Sequence, residues 1–249
     1  MRSLFTGTLL ATSLLVAGCG EGDATKDATP TATVKAAPTP APNGGEWSEV
    51  VSETEQGGFI MGNPNAPVKL VEFASLTCGH CAAFSAQGAP AVIEKYVKTG
   101  QVSFEIRNFV RDPADLAGAL LSRCGGPRPY FQLTEQLFAA QQDWMGRLQE
   151  IPPAVQQQLQ SMPPERVAAT IADQAGLVQF VRVRGVPADK ANACLADQAG
   201  LQKLVDMSAA AQRDYQISGT PSFLINDKVV EGASDWQTLE PRIQAALGG

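Results

Sequence analysis

Cys78-Gly79-His80-Cys81 holds the residue types and the spacing in this chain that can do chemistry. The run at 68–74, Val-Lys-Leu-Val-Glu-Phe-Ala, reads as a buried strand, and the residues from Ala82 onward read as a helix. Two cysteines at this spacing, on the first turn of a helix that follows a strand, can carry out thiol–disulfide exchange. Unpaired N–H groups and the positive end of the helix dipole face the first sulfur. They stabilise a thiolate, the species that attacks a disulfide and leaves well when a mixed disulfide breaks. Cys78 is expected to be the nucleophile, with an exposed sulfur, and Cys81, one turn on, the more buried resolving thiol. His80, the only histidine in the chain, would add positive charge beside Cys78 if protonated.

Other uses of the pair fit less well. A structural zinc site needs four ligands. No second CxxC exists, so Cys124 and Cys194 would have to complete an all-cysteine site from distant positions. No metal is expected, and no cofactor other than the two sulfurs themselves. An inert disulfide is the other bland reading, and the strand–turn–helix setting argues against it.

The elements that position the motif follow from periodicity and breakers. A helix is expected from about 78 to 98, kinked at Pro90 and stopped at Gly100. Val102, Phe104 and Ile106 then alternate with Ser103, Glu105 and Arg107 as in a strand. From 113 to 215 the composition turns to Ala, Leu and Gln at helical spacing, with breaks at Gly125-Gly126-Pro127, Pro152-Pro153, Pro163-Pro164 and Gly185-Val186-Pro187. A hairpin follows, with strands at 222–225 and 229–230 around Asn226-Asp227. Ser234 and Gln237 have capping-box spacing for a last helix, or Thr238 is its N-cap with Pro241 in the first turn. Two β segments thus bracket a helical insertion.

The chain has 249 residues, 44% of them hydrophobic, enough for one or two folded domains, and its net charge of −6 argues against nucleic acid as a partner. Arg2 and the small or apolar residues that follow form a signal-peptide core too short to span a bilayer. It ends in Val16-Ala17-Gly18-Cys19, which resembles a bacterial lipobox and implies a leader of 1–18 and lipid on Cys19; an ordinary signal peptide with a leftover thiol is the alternative. Residues 20–45, rich in Ala, Thr, Pro, Asp and Gly, cannot bury enough apolar surface to offset ordering and read as a disordered tether. Trp47 opens the folded region.

Glu72 lies in the middle of the apolar strand, where a carboxylate costs several kcal/mol to desolvate unless protonated or paired. Pairing with Lys69 is the alternative, but odd spacing puts the two on opposite faces of a strand. Cys124 and Cys194 both fall in the helical block, and two remaining cysteines of an exported protein usually pair; two buried free thiols are the alternative.

The stretch Val71-Glu72-Phe73-Ala74-Ser75-Leu76-Thr77 before CGHC, together with Gly219-Thr220-Pro221-Ser222-Phe223, resembles the DsbA-type disulfide oxidoreductases, closest to their alphaproteobacterial branch. The resemblance covers Trp47 to the C-terminus. It implies an α/β thioredoxin fold from 47–112 and 216–249 with an inserted α-helical domain at 113–215, behind a lipidated N-terminus and tether at 19–46. It further implies that Glu72 relays a proton to or from the buried cysteine. Pro221 would be a cis-proline facing the motif, where the bland reading is a trans proline opening a strand. Thr220 would offer its backbone to an extended substrate. DsbA itself has an apolar residue at this position and the isomerases threonine. The implied activity is introduction of disulfides into reduced or unfolded exported proteins, recharged by a DsbB-type membrane quinone-linked oxidase. An isomerase or reductase using the same residues is the alternative, and a non-catalytic binding module a third. Isomerases usually dimerise through an N-terminal domain; the tether in that place favours a monomer. The lipobox places the protein on the periplasmic side of the envelope, and Gly20 after the cysteine points to the outer membrane.

Overall fold

The computed structural model describes residues 36–249. Residues 1–35, on which the expected leader, the expected lipidation at Cys19 and most of the expected tether fall, lie outside the described residues. Six strands, β1 (Val51–Glu53), β2 (Phe59–Gly62), β3 (Val68–Ala74), β4 (Val102–Asn108), β5 (Ser222–Ile225) and β6 (Lys228–Val229), form one sheet in the order β1-β2-β4-β3-β5-β6. β3 is central, and all of its residues except Lys69 are buried, which is why its sequence is a nearly unbroken apolar run. It pairs parallel with β4 and antiparallel with β5. Parallel pairing needs a crossover, and α1 (Gly79–Val92) supplies it.

The pleat sorts the side chains of β3. Val68, Leu70, Glu72 and Ala74 share a face with Phe104, Ile106 and Phe223, against which α1 packs Phe84, whose ring centroid is 4.7 Å from that of Phe223. Val71 and Phe73 look the other way, with Leu224, Phe109, Ala211 and Ile217. Pro90 lacks an N–H to continue the α-helical ladder. Three residues beyond α1's Pro90 the helix widens into a π-helical turn, Ile93–Val97, closed by the Lys98 N–H on Ile93 O at 3.0 Å. Gly100, with φ 74°, ends it.

Between β4 and β5 the chain makes only helices: α2 (Pro113–Arg123), α3 (Pro127–Ala139), α4 (Gln141–Gln149), α5 (Pro153–Leu159), α6 (Pro164–Gln174), α7 (Leu177–Arg182), α8 (Ala188–Leu195) and α9 (Gln198–Tyr215). Proline opens α2, α3, α5 and α6, where its missing N–H is one of the helix's unpaired donors anyway. The break between α3 and α4 falls at Ala140 and has no breaker residue. Cys124, at the end of α2, is bonded to Cys194 in α8 across 70 residues of chain. In the chain-entropy model a loop of that size stabilises the fold by roughly 4 kcal/mol. With these sulfurs bonded to each other, they cannot join Cys78 and Cys81 around a zinc ion. No helix among the described residues is long and apolar enough to cross a membrane.

Four details depart from the sequence reading. Residues 36–45 lie along the sheet domain rather than belonging to the tether: Ala36 N–H bonds Leu247 O at 3.1 Å, Thr39 N–H bonds Thr99 O at 2.9 Å, and Trp47 Nε1 donates to Thr39 O at 2.7 Å. These partners offset the ordering entropy that composition alone weighs against the segment. The N-cap of α10 (Trp236–Ala246) is Asp235, neither Ser234 nor Thr238. Its carboxylate accepts from Thr238 N at 2.9 Å, and Thr238 Oγ1 answers it, a reciprocal box displaced by one residue from the Ser234/Gln237 pair. Pro241 therefore falls inside α10, beyond its first turn. The second hairpin strand is Lys228–Val229, one residue earlier than expected, because Asn226 and Asp227 alone form the turn, both at positive φ. Finally, β4 is buried on both faces: Glu105 and Arg107 form a two-pronged ion pair at 2.8 and 2.9 Å, and Thr54 Oγ1 donates to the same carboxylate at 2.7 Å. That pairing is what lets the charged half of an alternating strand go inside.

Candidate active site

β3 ends at Ala74, and Ser75-Leu76-Thr77 turns the chain into Cys78, which stands as the N-cap of α1 with extended φ −90° and ψ 118°. Its carbonyl accepts the first helical bond, from Ala82 N at 3.1 Å. Cys78 and Cys81 are both free thiols. Cys81 is fully buried, as expected of the resolving position, but Cys78 is only 4% exposed, against the expectation of an exposed sulfur. The covering group comes from far along the chain: the Thr220 carbonyl accepts from Cys78 Sγ at 3.2 Å. The Thr220–Pro221 peptide is cis.

The two thiols are driven apart in acidity. Hydrogen bonding from Cys81, then from Thr220 and the backbone N–H groups of Cys81 and His80, outweighs burial and holds the Cys78 thiol down at about 4. Burial, the hydrogen bond to Cys78 and the nearby Glu72 carboxylate push the Cys81 thiol far above its ordinary value. The Thr220 hydroxyl is buried without a hydrogen-bond partner while Cys78 is a thiol. A Cys78 thiolate supplies the acceptor it lacks.

Glu72 is 2% exposed on the α1 side of β3, and its Oε1 has no partner. Burial, and secondarily the charge of Cys78, push its carboxyl up to about 8. Lys69 points to the opposite face and is exposed, so it does not pair with Glu72. Glu72 is therefore a protonated acid near neutral pH beside a thiol that resists ionisation. A carboxyl in that state can give or take one proton. His80 is exposed, and its visible contribution to Cys78 is its backbone N–H rather than its ring. Among the described residues no cluster of three His, Cys, Asp or Glu side chains could hold a metal ion.

Sequence reasoning missed the residues that hold the turn before Cys78. Asp112, the N-cap of α2, accepts from Thr77 Oγ1 at 2.6 Å. Asp115, 1% exposed and pushed up to about 7 by burial, accepts from Leu76 N at 2.7 Å and Arg111 N at 3.1 Å. Gln141, at the start of α4, donates to Leu76 O at 2.7 Å and Cys78 O at 3.0 Å. Asp115 and Gln141 belong to the helical insertion and Asp112 caps its first helix, and the three lie 35–65 residues away in sequence from their partners in the turn. The only local signal was Asp112-Pro113, a helix start; nothing marks Gln141 out from the glutamines around it.

The sequence model of the family described as thioredoxin matches residues 54–245. The chain belongs to the thioredoxin family. Among solved structures it is similar to a protein-disulfide isomerase from Novosphingobium aromaticivorans, with 34% identity and a TM-score of 0.72 over 76% of this chain and 97% of that one. Alpha-DsbA1 of Wolbachia pipientis shares the fold at a TM-score of 0.63, with 24% identity over 79% of this chain and 94% of that one. A Rickettsia prowazekii relative, provisionally named a protein-disulfide oxidoreductase, is 28% identical over 144 residues, 53% of this chain and 52% of its own. The chain thus spans about half the length of that relative. This member of the thioredoxin family carries α2 to α9 as a helical insertion between β4 and β5.

Proposed function

We propose that this protein is a thiol:disulfide oxidoreductase that introduces disulfides into reduced or unfolded exported proteins. The observation that carries the reading is the placement of two free thiols at the start of α1, Cys78 as its N-cap against the Thr220 backbone and Cys81 fully buried one turn on; this setting holds Cys78 down at about 4 and pushes Cys81 up. In the disulfide state a substrate thiolate attacks Cys78 Sγ, and the Cys78–Cys81 bond breaks. Cys81 leaves and takes up the Glu72 proton. A second substrate thiolate then attacks the substrate sulfur of the mixed disulfide, the substrate disulfide forms, and Cys78 departs as its stabilised thiolate. Two electrons have moved from substrate to protein, and no cofactor beyond the two sulfurs is needed. A membrane quinone-linked oxidase of the DsbB type removes them. Thr220 and Pro221 present backbone to the extended substrate.

The second reading, a disulfide isomerase, is favoured by the name that the Novosphingobium neighbour bears and by threonine at position 220. A paired assay separates them. Starting from reduced, unfolded substrate the protein should form disulfides fast; starting from scrambled substrate it should rescue poorly, and Cys78→Ser should abolish both reactions. Efficient rescue with weak oxidation assigns the protein to the isomerases.

Cys19 is proposed to carry the anchor, supported by the Val16-Ala17-Gly18-Cys19 lipobox, with the catalytic domain held on the periplasmic side and the outer membrane as its site. Labelled fatty acid should enter the wild-type chain and not Cys19→Ser, which should leave the membrane fraction. Equal membrane retention of the two would remove the anchor from the account.

A further inference from the structure

Leu76 is held on both sides of its backbone by the inserted helices. Its N–H goes to Asp115 in α2 at 2.7 Å, its C=O to Gln141 in α4 at 2.7 Å. The second Gln141 bond, at 3.0 Å, falls on the carbonyl of Cys78, which also accepts from Ala82 N. Both bonds leave from the one Nε2 atom, so each of its hydrogens has a partner. Gln141 is 2% exposed and bridges a turn otherwise built by the sheet domain. An amide donor group that spans residues 76 and 78 fixes two peptide planes of the turn. Those planes set the direction of the Cys78 Cα–Cβ bond relative to the first N–H groups of α1.

We infer that Gln141 is a positioning residue for the Cys78 sulfur: by tying the carbonyls of Leu76 and Cys78 together, it aims Sγ at the N–H groups of His80 and Cys81. The reason is geometric. Hydrogen bonds to sulfur weaken steeply as alignment is lost, and Cys78 is an N-cap without a side-chain cap bond in the thiol form, so how well Sγ meets the N–H groups at the start of α1 depends on how the turn before it is held. The insertion holds that turn, from a position 63 residues downstream of Cys78. The helical block is thereby part of what sets thiol reactivity, rather than a cover over the sheet.

This inference rests on the reading of Cys78 as the attacking thiol, and the two fail separately. Two variants test it: Gln141→Met, of matched volume without a donor, and Gln141→Glu, isosteric but with a carboxylate that cannot donate when ionised. The readouts are the thiolate absorbance titration of the reduced protein and the equilibrium of the Cys78–Cys81 pair with glutathione. Each variant should raise the Cys78 midpoint by about one unit. The glutathione equilibrium should move about tenfold toward the disulfide, which is about 30 mV for a two-electron couple. The unfolding midpoint of the disulfide form is the structural control. A folded variant that titrates and equilibrates like wild type overturns the inference. So does a pair of variants that fold in neither redox state, since that assigns Gln141 to folding alone. A wild-type Cys78 that titrates as an ordinary thiol sinks the reading of the site itself.

Discussion

At pH 7 the reduced protein should resist unfolding by urea better than the disulfide form, by about 2 kcal/mol, and at pH 4 the disulfide form should be the more stable of the two. Two terms of opposite sign set this. The disulfide closes a loop of about four residues, which in the chain-entropy model favours the oxidised fold by roughly 2 kcal/mol. Against it stands the Cys78 thiolate, held down at about 4 in the reduced fold, where an unfolded chain has about 8.5. A depressed acid contributes stability that is complete above the unfolded value and lost as pH falls through the folded one. At pH 7 the folded group is about three units above its midpoint, on the order of 4 kcal/mol at 1.36 kcal/mol per unit. The thiolate therefore wins at neutral pH, the curves cross near about pH 5.5, and at pH 4 the loop term is left alone. Cys81 does not disturb the balance, because its thiol is protonated in both the folded and the unfolded chain over this range. The consequence for function is direct. Whatever stabilises the reduced fold makes the disulfide a stronger oxidant, so urea curves of the two forms between pH 4 and 8 read out the driving force of the proposed reaction. A disulfide form that is the more stable at every pH would leave the protein without that driving force.

The same comparison shows which parts of the site a sequence can carry. Cys78, Cys81 and Glu72 lie within ten residues on one strand–turn–helix unit, and local periodicity is enough to place them. Thr220 and Pro221 are distant in sequence, and only the likeness of their segment to a family pattern drew them to the motif. What stayed hidden is what depends on packing between the sheet domain and the insertion. The Cys78 sulfur donates to a carbonyl 142 residues away. The grip of Asp112, Asp115 and Gln141 on the turn joins residues whose own neighbourhoods read as ordinary helix starts and helix interior. Charge misleads in the same way: Glu105 and Arg107 look like a solvated strand face until Thr54 and their mutual pairing are seen. Residues 36–45 look disordered until Leu247, Thr99 and Gln101 supply their partners.

Glu72→Gln should stabilise the fold and slow the enzyme. A carboxyl whose folded value is raised, here to about 8 from an unfolded value of about 4.3, favours the fold fully below pH 4.3, and that contribution is lost as pH rises through about 8. At pH 7 the wild-type fold thus bears a cost that glutamine removes. The groups facing Glu72 do not relieve it: Cys78 and Cys81 on α1 add negative charge when ionised, and Tyr130 on α3, buried and itself pushed up to about 12, stays neutral. Allowing about 1.5 kcal/mol for a buried amide without a full set of partners, the gain should be about 2 kcal/mol at pH 7 and should give way to a loss of about 1.5 kcal/mol at pH 4, where the carboxyl is largely protonated in both states. It should be larger in the reduced form, where the Cys78 thiolate adds to the burden on the carboxylate. Turnover should move the other way. Glutamine can neither give nor take the Cys81 proton, and loss of a positioned acid–base group costs typically 10²-fold or more, so turnover should fall by about that much. The glutathione equilibrium should shift far less than the rate, since the charge on Cys78 is set mainly by its hydrogen bonds with Cys81 and Thr220. Opposite signs for stability and rate are the signature of a proton relay held in an unfavourable place. A glutamate retained for structure would give a less stable protein with its rate at neutral pH intact, and that pair of results would remove Glu72 from the mechanism.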